Sequence, residues 1–284
     1  MVKIMVDYSF IFWIFFIITF LYPQIIYKST VYQRYNYIKK LEKIRGTRVI
    51  LMVHRQEQLT LFGIPIYKFI SMEDSEEILR AIRTTPKDRP IDLILHTPGG
   101  LVLASEQIAM ALKSHKAKTT VIIPHYAMSG GSLISLAADE IIMDKHAVMG
   151  PVDPQIGKYP AASILKTTYY KSTDKISDEM LILMDISKKA IKQVKEFVYD
   201  LLKDKMSEKE AEKLAKILST GTWTHDYPLT VSKLRDLGIK INTDVPEIVY
   251  NLLELYKQNL NIKPSVQYIP TNHTNSDNNK KFSL

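Results

Sequence analysis

The chain has 284 residues, 46% of them apolar, which is enough for one folded domain with its own core. It contains no cysteine, and this excludes a disulfide framework, a thiolate nucleophile and cysteine-ligated zinc or iron–sulfur sites. The net charge is +8, but the cations are concentrated directly after an apolar segment near the N-terminus. We therefore expect the positive charge to face a membrane surface rather than nucleic acid.

The first predicted element is a membrane-spanning helix. No charged residue occurs from Tyr8 to Tyr27, and at about 1.5 Å per residue this run crosses a hydrocarbon core about 30 Å thick. The sequence after Tyr22 is a poor signal-peptidase site, so we predict a retained anchor over residues 1–27 rather than a cleaved signal peptide or a buried core helix. A basic juxtamembrane segment at 28–47 follows, and by the positive-inside rule it orients the rest of the chain towards the cytoplasm.

Residues 48–260 alternate buried strands with amphipathic helices, which predicts an α/β domain with parallel strands and crossover helices. Strands are predicted at 49–54, 91–95, 120–123, 140–143, 147–149 and 239–241. Helices are predicted after the capping-box serines Ser71 and Ser207, and also at 103–114, up to about Ala138, at 177–203, 230–237 and 245–258. We expect a long loop at 150–175 and a disordered tail at 261–284.

Two glycine turns, each directly after a predicted strand, carry the candidate chemistry. The glycines of Thr97-Pro-Gly-Gly100 allow a sharp turn with uncovered backbone N–H groups. Ala127-Met-Ser-Gly-Gly131 begins a helix, so Ser129 would present its hydroxyl above the strand ends, where open α/β sheets bind ligands. Taken separately, these are an ordinary turn and a helix N-cap. Taken together, they predict a serine nucleophile facing an oxyanion hole.

The run from His96 to Gly157 resembles the ClpP/crotonase superfamily, and in particular the membrane-bound SppA/NfeD-type and serine dehydrogenase proteinase (SDH) group. The motifs that carry the resemblance, besides the two glycine turns, are Met149-Gly-Pro-Val-Asp-Pro-Gln-Ile-Gly157, Ala137-Ala-Asp-Glu140, Tyr159-Pro-Ala-Ala-Ser163 and Gly221-Thr-Trp-Thr224. The resemblance implies a ClpP/crotonase-like spiral of β-β-α units behind the transmembrane helix. It also implies a peptidase with Ser129 as nucleophile and the N–H groups of Gly100 and Gly130 as oxyanion hole.

The general base is the open part of this prediction. ClpP supplies a histidine in the stretch that corresponds to Met149–Gly157, and this chain has none there. SppA/NfeD-type relatives use a lysine beyond this stretch, so the resemblance implies Lys166, Lys171 or Lys175. Lys166 follows apolar residues, and burial of the amine among them would lower its pKa. Lys171 fits the spacing of the lysine in NfeD-type relatives better. We predict a Ser129–Lys166 dyad, with Lys171 as the alternative.

Other polar residues receive structural interpretations. His96 and His125 lie at strand ends near the glycine turns, and we interpret both as hydrogen-bonded structural histidines. The remaining histidines show no metal-ligand spacing with carboxylates, so we predict no metal site, and nothing resembles a pyridoxal phosphate or nicotinamide site. Asp153 stands between two prolines and could line the pocket or shape a turn, and we favour the turn.

The combined prediction is a membrane-anchored serine peptidase of the cell membrane, with peptides or membrane proteins as substrates. The family resemblance also implies a homo-oligomer. Two alternatives use the same fold: a crotonase-like acyl-CoA enzyme, disfavoured by the Ser-Gly-Gly turn, and a catalytically silent scaffold.

Overall fold

A computed structural model describes residues 8–54, 59–61, 64–66 and 68–256, so the predicted tail at 261–284 lies outside the described residues. The helices within this part of the chain are α1 (Tyr8–Phe16), α2 (Tyr22–Arg45), α3 (Met72–Thr84), α4 (Val102–Lys113), α5 (Gly130–Ala137), α6 (Ala161–Lys166), α7 (Asp178–Leu202), α8 (Glu208–Ser219), α9 (Val231–Asp236) and α10 (Glu247–Glu254). A π-helical turn, Ile17–Leu21, joins α1 to α2. The strands are β1 (Arg48–Val53), β2 (Leu59–Leu61), β3 (Ile64–Ile66), β4 (Ile91–His96), β5 (Thr119–Ile123), β6 (Tyr126–Ala127), β7 (Glu140–Met143), β8 (Val148–Met149), β9 (Gln155–Ile156), β10 (Tyr159–Pro160), β11 (Leu229–Thr230) and β12 (Ile241–Asn242).

The central sheet has the order β1-β4-β5-β7-β12, and every pair in it is parallel. Strands β4 and β5 are buried along their whole length, as expected when helices cover both faces of a parallel sheet. One face packs against α3, α4, α5, α7 and α8, and the other against α2 and α10. The predicted parallel α/β architecture is confirmed, as are the capping boxes at Ser71 and Ser207.

The N-terminal helices form one continuous element that begins outside the domain and ends inside it. The stretch Phe12–Arg45 is long and apolar enough to cross a membrane, with a mean hydropathy of 1.4 in its most apolar part, none of which is buried. The last turns of α2 pack on the sheet, where Leu41 is fully buried. The Arg34 guanidinium donates to the backbone oxygen of Leu255 at 2.6 Å. The basic segment is therefore a helix docked onto the domain, not a separate stalk.

A buried carboxylate holds the end of α2 against β4. Asp92 is fully buried, its carboxylate pairs with the Arg45 guanidinium and it accepts a hydrogen bond from the Thr47 hydroxyl at 2.9 Å. Removing one partner of such a pair leaves the other charge buried and uncompensated. We expect Asp92→Ala to lower the free energy of unfolding by about 3–5 kcal/mol in denaturant titrations. Asp185→Ala, which breaks an exposed pair with Lys189, should change it far less.

The prediction of a long loop at 150–175 is wrong. This stretch contains the antiparallel pair β9–β10, helix α6 and two 3-10 turns, Thr167–Tyr169 and Thr173–Lys175. Gly157 sits in the left-handed region (φ +61°) between β9 and β10, as a tight hairpin turn requires. Short strands and a single helical turn carry too little periodicity to be detected in the sequence.

Candidate active site

A row of paired residues brings four distant segments to one place. Beside the central sheet, β8 pairs with β6 in parallel and with β11 in antiparallel orientation, with Ala127 and Leu229 both opposite Met149. Thr97 forms a parallel bridge with Ala127 and extends the row by one residue. After Thr97, Ala127 and Met149 the polypeptide continues to Gly100, Ser129 and Asp153, all on the same side of this row. Because β11 is antiparallel, the residues that precede it, including His225, lie on that side as well. Neighbouring strands lie only about 4.8 Å apart, so the four segments are close together.

Ser129 has a strained backbone and does not cap the helix that it precedes. Its φ and ψ are +49° and −114°, and it is the one non-glycine residue with positive φ among the described residues. N-cap residues have extended backbone and a side chain that accepts from the first turn. Ser129 has neither feature, and its half-buried hydroxyl makes no hydrogen bond in the described part of the chain. The helix-cap interpretation of this serine is therefore wrong, and strain of this kind is concentrated at functional sites.

The Gly99–Gly100 peptide is fixed in orientation by Ile70. The carbonyl oxygen of Gly99 accepts from the Ile70 N–H at 2.8 Å, and Leu101 donates back to the Ile70 oxygen at 2.9 Å. Because a trans peptide places its C=O and N–H on opposite sides, the Gly100 N–H points away from Ile70. This N–H donates to no acceptor within residues 8–54 and 68–256. It is a fixed and available hydrogen-bond donor.

The glycines also allow the two turns to touch. Gly99 has φ +103°, and a Cβ atom there would lie 2.7 Å from the Ser129 Cβ. A Cβ at Gly130 would lie 2.2 Å from the Ser105 hydroxyl oxygen of α4. A side chain at Gly99 would therefore push the two turns apart, and one at Gly130 would push the start of α5 away from α4. Gly130 is the first residue of α5, and its N–H also lacks an acceptor in the described structure, as expected for a helix start.

A buried carboxylate and a histidine lie at the same edge. Asp153 is 2% exposed, and its Oδ1 lies 2.9 Å from the Nδ1 atom of His225. Its Oδ2 accepts from the Gln155 amide at 2.8 Å. The Gln155 Nε2 atom also lies 3.1 Å from His225 Nδ1. If Nδ1 carries the proton and donates it to the carboxylate, the Nε2 atom of this partly exposed imidazole is unprotonated. The interpretation of Asp153 as a turn residue missed this pairing. The available signal was the position of His225, which directly follows the Gly221–Thr224 motif of the family resemblance.

The lysines predicted as bases lie on the surface. Lys166 ends α6, which buries Ala161 and Ile164, and its own side chain is exposed because it is on the opposite side of the helix. Lys171 and Lys175 are exposed as well. Among the described residues, no hydrogen bond joins any of the three to Ser129, and the apolar environment expected for Lys166 is not found.

His96 and His125 belong to an aromatic group at the ends of β4 and β5. The His96 ring lies 4.2 Å from the ring of Tyr126 and 5.5 Å from that of His125, measured between centroids. His125 also lies 6.4 Å from the ring of Tyr250. His96 is 6% exposed and His125 is exposed, and the hydrogen-bonded structural role expected for both stays a prediction.

The chain belongs to the ClpP-like SDH-type serine proteinase family, whose model matches residues 1–282. This finding confirms the family and the ClpP-like fold predicted from the sequence. The chain is 67% identical to the uncharacterized protein MJ1495 of Methanocaldococcus jannaschii over 269 residues, covering 95% of this chain and 92% of that protein. It is 59% identical to the uncharacterized protein MJ0137 of the same organism over 262 residues, which is 92% of each.

Two solved structures are similar at 17% identity. ClpP1 from Listeria monocytogenes matches with a TM-score of 0.44 over 72% of this chain and 96% of that chain. A mutant of the 1510-N membrane-bound stomatin-specific protease matches with a TM-score of 0.44 over 66% of this chain and 79% of that chain.

Proposed function

We propose that the chain is a membrane-anchored serine peptidase that cleaves peptide bonds through an acyl-enzyme formed on Ser129. The observation that carries this proposal is the strained, non-capping backbone of Ser129 at the start of α5. A serine that neither caps the helix nor relaxes its backbone has no structural reason to occupy the turn. Membership of a serine proteinase family supports the same role.

The proposed chemistry uses Gly100 and Gly130 as the oxyanion hole. Ser129 Oγ attacks the substrate carbonyl, its proton passes to a base, and the two backbone N–H groups stabilise the oxyanion that forms. The base then protonates the leaving amine, and the acyl-enzyme remains on Ser129. A water molecule then gives its proton to the same base and attacks the ester, and the base returns this proton to Ser129 Oγ as the acid is released.

We propose His225 as this base, held by Asp153. The 2.9 Å contact between the two side chains fixes the ring, and the carboxylate stabilises the imidazolium that forms after proton transfer. β11 lies one strand beyond β8 from β6, so the His225 segment approaches the Ser129 turn from the side opposite Gly99. Ser129 and His225 are not hydrogen-bonded here, and such contacts often tighten only when substrate is bound. Lys166, or alternatively Lys171, is the second candidate.

The location that we propose is a membrane with the catalytic domain on its cytoplasmic side. The apolar part of Phe12–Arg45 supports the anchor, and the cations of α2 support the orientation. Because α2 is docked on the sheet, the site would stand at a nearly fixed height above the bilayer. Peptides and membrane-protein segments close to that surface are the proposed substrates, and a homo-oligomer remains the expected assembly.

Covalent labelling tests the proposed nucleophile. The full-length chain in detergent is treated with a fluorophosphonate probe, and the adduct is located by peptide mapping. We expect one adduct, on Ser129, and none in Ser129→Ala. A protein that folds but takes no adduct, or is labelled elsewhere, would be an acyl-CoA enzyme or a scaffold of this fold rather than a serine peptidase.

A further inference from the structure

A second histidine, His54, lies on the far side of the oxyanion turn from the nucleophile. It is 6% exposed at the end of β1, and its backbone N–H donates to the His96 oxygen at 2.7 Å. Its Nδ1 atom lies 2.9 Å from the Thr97 hydroxyl, and its Nε2 atom lies 3.4 Å from Asp74 Oδ2. Thr97 is fully buried. The three side chains form a chain of polar contacts that ends next to Gly99.

The contacts among Asp74, His54 and Thr97 are consistent with one placement of their protons. The Gly99 N–H donates to the Thr97 hydroxyl oxygen at 3.2 Å, so the hydroxyl keeps its own proton for another acceptor. His54 Nδ1 is that acceptor at 2.9 Å, whereas the Gly99 oxygen lies at 3.5 Å, the limit for such a bond. Nε2–H then faces the Asp74 carboxylate. Burial lowers the pKa of His54, which favours the neutral ring that this arrangement needs.

Asp74 is itself fixed in place. It is the third residue of α3, and its Oδ2 atom accepts from the Ser71 N–H at 2.8 Å and from the Ser71 hydroxyl at 2.7 Å. Burial opposes its ionisation, but these hydrogen bonds and the nearby imidazole outweigh burial and lower the pKa of Asp74. The series of contacts therefore begins at the Asp74 carboxylate, which the N-terminus of α3 keeps charged.

Thr97 connects this chain to both turns of the site. Its N–H donates to the Tyr126 oxygen at 3.2 Å, and its oxygen accepts from the Met128 N–H at 3.0 Å, which sets the start of the Ser129 turn. Its hydroxyl holds the Gly99 N–H, and Ile70 holds the Gly99 oxygen at 2.8 Å. The peptide units on both sides of Gly99 are thus fixed independently. Without the hydroxyl, only the Ile70 side would remain.

We infer that Asp74, His54 and Thr97 form a positioning relay that fixes the Gly99–Gly100 turn against Ser129, so that the Gly100 N–H meets the oxyanion. The relay rests on the proposed function, because it acts through the proposed oxyanion hole. In this proposal none of the three residues touches substrate. His54 is therefore a positioning residue, distinct from the base His225.

Four substitutions test the relay in the full-length chain, with p-nitrophenyl acetate as the substrate. Thr97→Val removes the hydroxyl at nearly constant shape, and His54→Gln keeps a donor for Asp74 but withdraws the Nδ1 acceptor. Both should lower kcat at least about 10-fold and change KM less than about threefold, because a misplaced donor weakens only the transition state. Thr97→Ser restores the hydroxyl and should stay within about threefold of wild type. His54→Asn returns an amide oxygen to the Nδ1 position but loses the contact with Asp74, so it should retain more activity than His54→Gln and less than wild type.

Two controls remove comparable groups far from the site. Thr85→Val deletes a buried hydroxyl bonded to the Ala81 oxygen, and His115→Gln replaces a ring bonded to the Arg89 oxygen. Neither should change kcat, whatever small loss of thermal stability each shows.

The results of these variants distinguish failure of the relay from failure of the proposed role of Ser129. A kcat unchanged by Thr97→Val and His54→Gln, with Ser129→Ala inactive in the same assay, overturns the relay alone. Hydrolysis that survives Ser129→Ala overturns the proposed function. If Thr97→Val does not fold, the His54→Gln and His54→Asn pair decides, because equal losses in both variants contradict a role through Thr97.

Discussion

Replacing Ser129 by alanine should abolish peptide and ester hydrolysis and leave the fold intact. The loss in kcat should be about 10⁴-fold or more, because removing the nucleophile leaves only the oxyanion hole and binding to act on water. The measurement is hydrolysis of p-nitrophenyl acetate and of a labelled unfolded protein such as casein by the full-length chain in detergent. Ser132→Ala is the matched serine control for chemistry, since its hydroxyl is buried against the Gly150 oxygen at 2.8 Å.

The stability of Ser129 variants distinguishes a nucleophile from a helix-capping residue. Loss of a capping serine costs about 0.5–2 kcal/mol of stability. Ser129 makes no capping bond, so Ser129→Ala should cost less than that. Ser129→Gly should be more stable than Ser129→Ala in thermal unfolding, because glycine adopts φ +49° without strain. An alanine variant that is clearly destabilised but still active would return Ser129 to a structural role.

The sequence predicted those parts of the site that depend on local chain geometry. Each glycine turn occupies a few consecutive residues after a buried strand, and the fully buried strands β4 and β5 are recognisable as apolar runs. The glycine at position 99 has a local cause, since its φ of +103° belongs to the turn itself. The turns and their parallel order therefore follow from short stretches of sequence.

The pairing of Asp153 with His225 has no local cause. The two residues are 72 positions apart, and they meet because the two-residue strands β8 and β11 pair at Met149 and Leu229. Strands this short show no alternation from which a pairing register can be inferred. The same limit explains Lys166: its apolar sequence neighbours suggested burial, but only one side of α6 faces the core. Contacts between distant segments require the fold itself.

The relay of Asp74, His54 and Thr97 could be predicted from the sequence only in part. Ser71 to Asp74 was recognised as a capping box, and the structure adds that the same carboxylate faces His54. Thr97 was recognised as part of a turn, and its hydroxyl proves to link that turn to β1 through His54. Sequence motifs thus located the ends of the relay, but the contacts between them appear only when β1 and β4 pair.

Replacing His225 by alanine should lower kcat about 10³- to 10⁵-fold, whereas Lys166→Met and Lys171→Met should have much smaller effects. The reason is that an unactivated serine hydroxyl is a weak nucleophile and the imidazole is the only proposed group oriented by a buried carboxylate. Asp153→Asn should also be severe, because an amide facing Nδ1 favours the wrong tautomer. His146→Ala, at an exposed turn, is the matched histidine control.

Chemical rescue and covalent labelling distinguish a histidine base from a lysine base. Added imidazole should partly restore His225→Ala and should not restore Ser129→Ala. If Lys166→Met or Lys171→Met abolishes fluorophosphonate labelling while His225→Ala retains it, the lysine dyad is correct and the Asp153–His225 pair is structural.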